Sequence, residues 1–158
     1  NEHTYSIIGY QLDKTLSDHG TVSRGVCEVD ADMNLVSINE RTKIYPEDGK
    51  VVYEEGEYKF DVPAKSSVSM NFWCFHPSLF ERAERLFKKF VPENKDNIKA
   101  EFFIPIIADE FIRQEGNLIK VIPTSSQWFG VTYKEDAAAV KNSIDKLVAD
   151  KVYPTSLW

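Results

Sequence analysis

Apolar and polar residues alternate along most of the first half of the chain, and the alternation marks strands. An opening strand is expected at Tyr-Ser-Ile-Ile-Gly-Tyr-Gln-Leu from residue 5, followed by a polar connector over 13–19. Between residues 20 and 43 the pattern is clearest. Val26, Val29, Leu35, Val36 and Ile38 define two strands, and the Asp32/Asn34 region between them lets the chain reverse. Glu40, Arg41 and Lys43 are expected where the second strand ends, a place where scaffolds commonly present binding groups. Short alternating runs at 42–45, 51–54 and 57–60, separated by Glu-Asp-Gly and Glu-Glu-Gly turns, predict a surface β-hairpin excursion over 42–62. The nearly continuous apolar run at 68–75 then predicts a central strand buried on both faces.

Beyond Pro77 the period lengthens. Leu79, Phe80, Ala83, Leu86, Phe87 and Phe90 fall on one helical face, and Val91-Pro92 is expected to end that helix. A second helix is expected from Pro105 to about Glu115, with Ile106, Ile107 and Phe111 inward and Gly116 as its stop. A strand at 118–123 follows. The form of a capping box at Thr132-Tyr-Lys-Glu135 then precedes a last helix carrying Ala137, Val140, Ile144, Leu147 and Val148. Antiparallel hairpins followed by alternating helices and a strand predict a single α/β domain over 1–158, built on a mixed sheet with flanking helices.

Composition narrows the function classes. With 158 residues, 42% of them hydrophobic and 28% charged, the chain has the makeup of a folded soluble domain. Its net charge of -6 argues against nucleic acid as a partner, because phosphate backbones are held by basic faces. Cys27 and Cys74 lack CxxC spacing, which suggests neither zinc nor a disulfide framework and fits a reducing cytoplasm. No apolar run reaches the roughly 18 residues that span a bilayer, so no membrane partner is expected. The start, Asn-Glu-His-Thr-Tyr, carries no methionine, and the expectation is a piece of a longer protein.

Few residues suggest chemistry of their own. The three histidines do not cluster, no glycine-rich phosphate loop is present, and no catalytic residue is assigned. His76, just before Pro77, reads as flanking the helix. Glu40-Arg41-Thr-Lys43 is the more informative group. A carboxylate there can accept hydrogen bonds from hydroxyls, and a guanidinium can grip a phosphate bidentately, which together suit a phosphorylated polyol. From residue types alone the group reads more readily as a solvated strand end. Arg24-Gly25 is open in the same way, since Gly25 either admits a ligand close to the backbone or marks a bulge.

Five blocks in order carry a resemblance: Gly-Thr-Val-Ser-Arg-Gly-Val-Cys-Glu-Val-Asp from residue 20, Val-Ser-Ile-Asn-Glu-Arg-Thr-Lys from 36, Ser-Met-Asn-Phe-Trp from 69, Glu-Phe-Phe-Ile-Pro from 101, and Trp-Phe-Gly-Val-Thr-Tyr-Lys-Glu-Asp from 128. Over nearly its whole length the chain resembles the C-terminal, acceptor-binding half of bacterial sugar-phosphate nucleotidyltransferases, the nucleotide-sugar pyrophosphorylase-like family. The resemblance implies the second half of a Rossmann-like, GT-A-like fold. It also implies transfer of a nucleotidyl group from a nucleoside triphosphate to a sugar phosphate, with magnesium serving the complete enzyme. Gly25 matches the family glycine of the Tyr-Gly-Val-Val-Glu-Phe-Asp strand, Glu40 the glutamate that accepts sugar hydroxyls, and Arg41 the lysine beside the phosphate. Lys43 would assist Arg41, and Asn71 stands in a block near the sugar. Arg24 and Trp128 are candidates to line the pocket. Thr42 replaces a usual proline. Gly130 stands where relatives carry a magnesium-binding aspartate, so no metal ligand is assigned in this chain. The family's nucleotide-gripping loop has no counterpart among the 158 residues, and the chain by itself is expected to be inactive. Two alternatives are a phosphocholine-type cytidylyltransferase piece, which aromatic lining would favour, and a non-catalytic sugar-phosphate-binding or regulatory module.

Overall fold

A computed structural model describes residues 1–17, 19–131 and 134–156. Contacts divide the chain into two compact units, Asn1–Ser126 and Gln127–Trp158. The first unit holds a seven-stranded mixed sheet built from β1 (Thr4–Gln11), β2 (Val22–Val29), β3 (Leu35–Glu47), β4 (Lys50–Glu55), β5 (Tyr58–Val62), β6 (Ser67–Cys74) and β7 (Leu118–Thr124). Their order in the sheet is β5-β4-β3-β2-β6-β1-β7. β7 runs parallel to β1, and the other pairings are antiparallel.

The β2–β3 hairpin forms at the predicted place, but its reversal depends on a residue upstream of Asp32. Asp30 Oδ1 accepts the backbone N–H groups of Asp32 and Asn34 at 2.9 and 2.8 Å, and Met33 takes the left-handed conformation at φ 61°. The sheet curls enough for this turn to meet β7, where the Val121 N–H donates to the Met33 carbonyl at 2.8 Å. The β3–β4 turn at Asp48-Gly49 has positive φ at both residues, as a type I′ turn requires.

Four expectations need correction. β3 does not end near Lys43 but runs on to Glu47, because it exchanges β2 for β4 as its partner and pairs Tyr45 with Val52. β6 is central in the sheet yet is not buried on both faces, since Asn71, Phe72 and Cys74 are exposed and Val68 alone is fully buried. A bulge explains this. From Ile7↔Trp73 to Gly9↔Ser69, β1 advances two residues and β6 four. The first helix, α1 (Leu79–Glu93), keeps Pro92 in its last turn and closes on Asn94, whose Nδ2 donates to the Phe90 carbonyl at 2.9 Å. Its apolar face is only half covered: Leu79, Ala83, Leu86 and Phe90 are partly buried, while Phe80 is 75% and Phe87 49% exposed.

α2 (Ile104–Ile112) stops earlier than expected, and Gly116 ends the following turn at φ 81°. Its residues Ala108 and Phe111 join Tyr5, Ile7, Cys27, Leu35, Ile119 and Val121 in one buried cluster. Phe111 lies flat on Tyr5, the ring centroids 3.8 Å apart. A second cluster, Leu12, Ile44, Val51, Val62 and Val68, ties the long end of β3 to β4, β5 and β6. That cluster gives the arm bearing Glu40, Arg41 and Lys43 a firm base.

The second unit contains α3 (Asp136–Ala149). Glu135 is its N-terminal flanking residue, and the expected capping box falls partly on Thr132 and Tyr133, outside the described residues. Among the described residues no helix is long and apolar enough to cross a membrane.

Candidate functional site

Register places the charged residues. Within β3 the residues Glu40 and Arg41 pair with Gly25 and Arg24 of β2. Between Arg24↔Arg41 and Val22↔Ile44 the strand β2 advances two residues while β3 advances three. The extra residue is a bulge, and Lys43 within it has φ 50°. Left-handed backbone at a side chain of this size costs about 1 kcal/mol, and such strain persists where surrounding pairing holds it. Thr42 therefore belongs to a bulged strand rather than to a turn.

The bulge aims Arg41 and Lys43 at β4. Continuing the register from Tyr45 opposite Val52 back by two residues sets Lys43 opposite Glu54. Lys43 Nζ donates to Glu54 Oε2 at 3.2 Å, and the Tyr45 hydroxyl donates to Glu54 Oε1 at 2.9 Å. The Tyr45 and Lys43 hydrogen bonds hold the Glu54 carboxyl below the usual carboxylate range. Arg41 Nη1 donates to Glu55 Oε2 at 3.4 Å, and its guanidinium lies 4.8 Å over the Tyr53 ring.

Glu40, Arg41, Thr42 and Lys43 form one wall of a groove of about 240 Å³, and Tyr53, Glu54, Glu55 and Gly56 form the other. Partial burial pushes the Glu40 carboxyl up, against the opposing pull of the Arg24 charge. The groove thus gathers three carboxylates and two cations around one aromatic ring. It can accept hydroxyl hydrogen bonds on one side and bind an anionic oxygen on the other.

The remaining nominated residues fall elsewhere. Arg24 turns away from Arg41 and fastens the segment after β1, donating from Nη2 to the Thr15 carbonyl at 2.6 Å and from Nε to Thr15 Oγ1 at 3.2 Å. This relieves the repulsion of two arginines placed opposite in register. Gly25 lies beside Glu40 but does not line the groove. A Cβ added there would sit 3.0 Å from Ile38 Cδ1, so the glycine makes room for that core side chain. Asn71 occupies the β6 bulge at φ 57°, donates its N–H to Ser69 Oγ at 3.1 Å, and is not a groove residue.

Trp128 belongs to the second unit, where its ring lies across Gly130. A Cβ built on Gly130 would be 1.8 Å from Trp128 Cη2. The residues at that place do not fit a magnesium ion, because position 130 has no ligating atom on a side chain and the indole fills the space one would need. Among the described residues no three His, Cys, Asp or Glu side chains come together as a metal-holding group.

Sequence reasoning missed the β4 wall. Tyr53, Glu54 and Glu55 read as part of a surface excursion, although counting outward from the Asp48-Gly49 turn would have set Glu54 across from Lys43 and Glu55 across from Thr42, between the two cations. The chain matches no protein-family model and no curated protein.

Proposed function

We propose that the groove between β3 and the β4–β5 turn binds the phosphate ester of a sugar, and that the chain is the acceptor-binding portion of a nucleotidyltransferase with the second half of a GT-A-like, Rossmann-like fold. One observation carries the reading: Glu40, Arg41 and Lys43, singled out on chemical grounds and by resemblance, share a wall of one groove. Arg41 and Lys43 grip the phosphate, and Glu40 accepts sugar hydroxyls. The ion pairs to Glu54 and Glu55 oppose this only weakly. Glu55 and Lys43 are 67% and 60% exposed, and pairs so solvated are worth about 1 kcal/mol or less, so a phosphate can displace them.

In the proposed reaction an oxygen of the bound sugar phosphate attacks the α-phosphorus of a nucleoside triphosphate. The bond from that phosphorus to the α–β bridging oxygen breaks, and pyrophosphate leaves. This chain contributes position, holding the attacking oxygen while the phosphate's charge is balanced. The triphosphate-binding residues are assigned to a part of the protein beyond these 158 residues, and the whole is placed in the reducing cytoplasm, consistent with the free thiols of Cys27 and Cys74. Carboxylates outnumber aromatic rings in the groove, which favours a hydroxyl-bearing acceptor over a choline ester.

Calorimetric titration with glucose 1-phosphate tests the reading. Binding is expected, with affinity falling about tenfold in Glu40→Ala through loss of charge-assisted hydrogen bonds. Silence across a panel of hexose phosphates would contradict it. The pH dependence has a definite sign. Because the Glu40 carboxyl titrates above its ordinary value, the part of the affinity lost in Glu40→Ala is present at neutral pH. It disappears as the pH falls through that raised midpoint, where the carboxylate takes up a proton.

A further inference from the structure

Binding a phosphate in this groove adds negative charge that the protein's own side chains, already partnered, offset only in part. Arg41 is held by Glu55 and Lys43 by Glu54, and a phosphate seated between them takes over both cations, leaving Glu54 with the Tyr45 hydroxyl. Glu54 and Glu55 are then left beside Glu40 and an incoming anion within about 240 Å³. The neighbouring lysines of the same arm already have carboxylate partners, although the Lys59 charge also reaches Glu54. Lys59 donates to both oxygens of Glu47 at 2.7 and 2.8 Å, and Lys50 pairs with Asp61.

We propose that the ligand itself supplies the missing cation. The groove selects a phosphate monoester that also carries a protonated primary amine, an amino-sugar phosphate in preference to a neutral sugar phosphate. This rests on the reading of the groove as a sugar-phosphate site. The phosphate replaces Glu54 and Glu55 at Lys43 and Arg41, and the ammonium, with three donors, takes up the released carboxylates. The phosphate and the two released carboxylates then each face an opposite charge, and Glu40 keeps the charge of Arg24 beside it.

A primary amine fits better than a quaternary one. Tyr53, the aromatic residue of the groove, already lies under the Arg41 guanidinium at 4.8 Å and stacks on Phe60 with centroids 5.3 Å apart. Its ring is therefore committed, and a methylated ammonium, which donates no hydrogen bonds, would meet the freed carboxylates by charge alone.

Three ligands of one framework decide the matter: glucosamine 1-phosphate, glucose 1-phosphate and N-acetylglucosamine 1-phosphate, titrated calorimetrically at a pH that keeps the free amine protonated. Glucosamine 1-phosphate is expected to bind at least about tenfold more tightly than the other two, as one charge-assisted contact provides. In the Glu54→Gln/Glu55→Gln variant the preference is expected to disappear while glucose 1-phosphate still binds. Equal affinity for the glucosamine and glucose esters in the wild type would overturn the amine selectivity and leave the sugar-phosphate site standing. A preference that survives in the double variant would also overturn it, by showing that the amine is recognised elsewhere. Failure of all three ligands to bind would overturn both.

Discussion

Replacing Phe111 with alanine is expected to cost about 4 kcal/mol of folding stability, the largest effect of any single change considered. Phe111 is fully buried, lies flat on Tyr5 at 3.8 Å, and carries the Arg82 guanidinium 5.1 Å over its ring. Truncation removes the transfer energy of a whole ring and leaves a cavity that β1 and β7, fixed by their backbone pairing, cannot readily close. It also strips the cover from Tyr5, whose other aromatic neighbour is Phe75 at 5.2 Å, edge-on. Domains of this size are stable by only about 5–15 kcal/mol, so the variant is expected to melt about 12 °C lower by calorimetry. A shift of only 2–3 °C, on the order of what 1 kcal/mol produces, would mean that α2 does not seat on the sheet as described.

Removing the two groove cations is expected to separate binding from stability. In an Arg41→Ala/Lys43→Ala variant, folding should change by no more than about 2 kcal/mol, because each of the two ion pairs lost has one well-exposed partner. Hexose-phosphate affinity, by contrast, should fall about 100-fold or more, since two charge-assisted hydrogen bonds to a phosphate contribute about 1.5–3 kcal/mol each. Urea unfolding and calorimetric titration of the same preparation read the two quantities. Intact affinity in a folded double variant would remove both residues from the binding site.

The strands of the first unit were legible because a two-residue period survives wherever one face is buried. Val26, Leu35 and Ile38 showed it plainly. What escaped was set by tertiary pairing. Nothing in Thr42-Lys43 announces a bulge, and β3 continues past Ile44 only because β4 replaces β2 as its neighbour. The run at 68–75 was apolar enough to suggest burial on both faces, yet the bulge around Asn71 takes that residue and Phe72 out of the β1 register and leaves them exposed.

The candidate site was half legible for a related reason. The chemistry of Glu40, Arg41 and Lys43 is local and can be read from adjacent residues. Their partners, Tyr53, Glu54 and Glu55, become visible only once the hairpin register is counted across the turn. Gly25 offered two readings, and the Ile38 side chain supplies a packing reason for it. Arg24, suspected as pocket lining, instead ties Thr15 to β2, a contact across nine residues that no local motif announces.

Backbone amide chemical shifts, followed by heteronuclear NMR while glucose 1-phosphate or glucosamine 1-phosphate is added, test the central claim most directly. The account predicts saturable changes concentrated at residues 40–43 and 53–56, with the β1, β7 and α2 amides scarcely affected. Changes centred on any other part of the chain, or none at ligand concentrations that saturate the calorimetric signal, would contradict it.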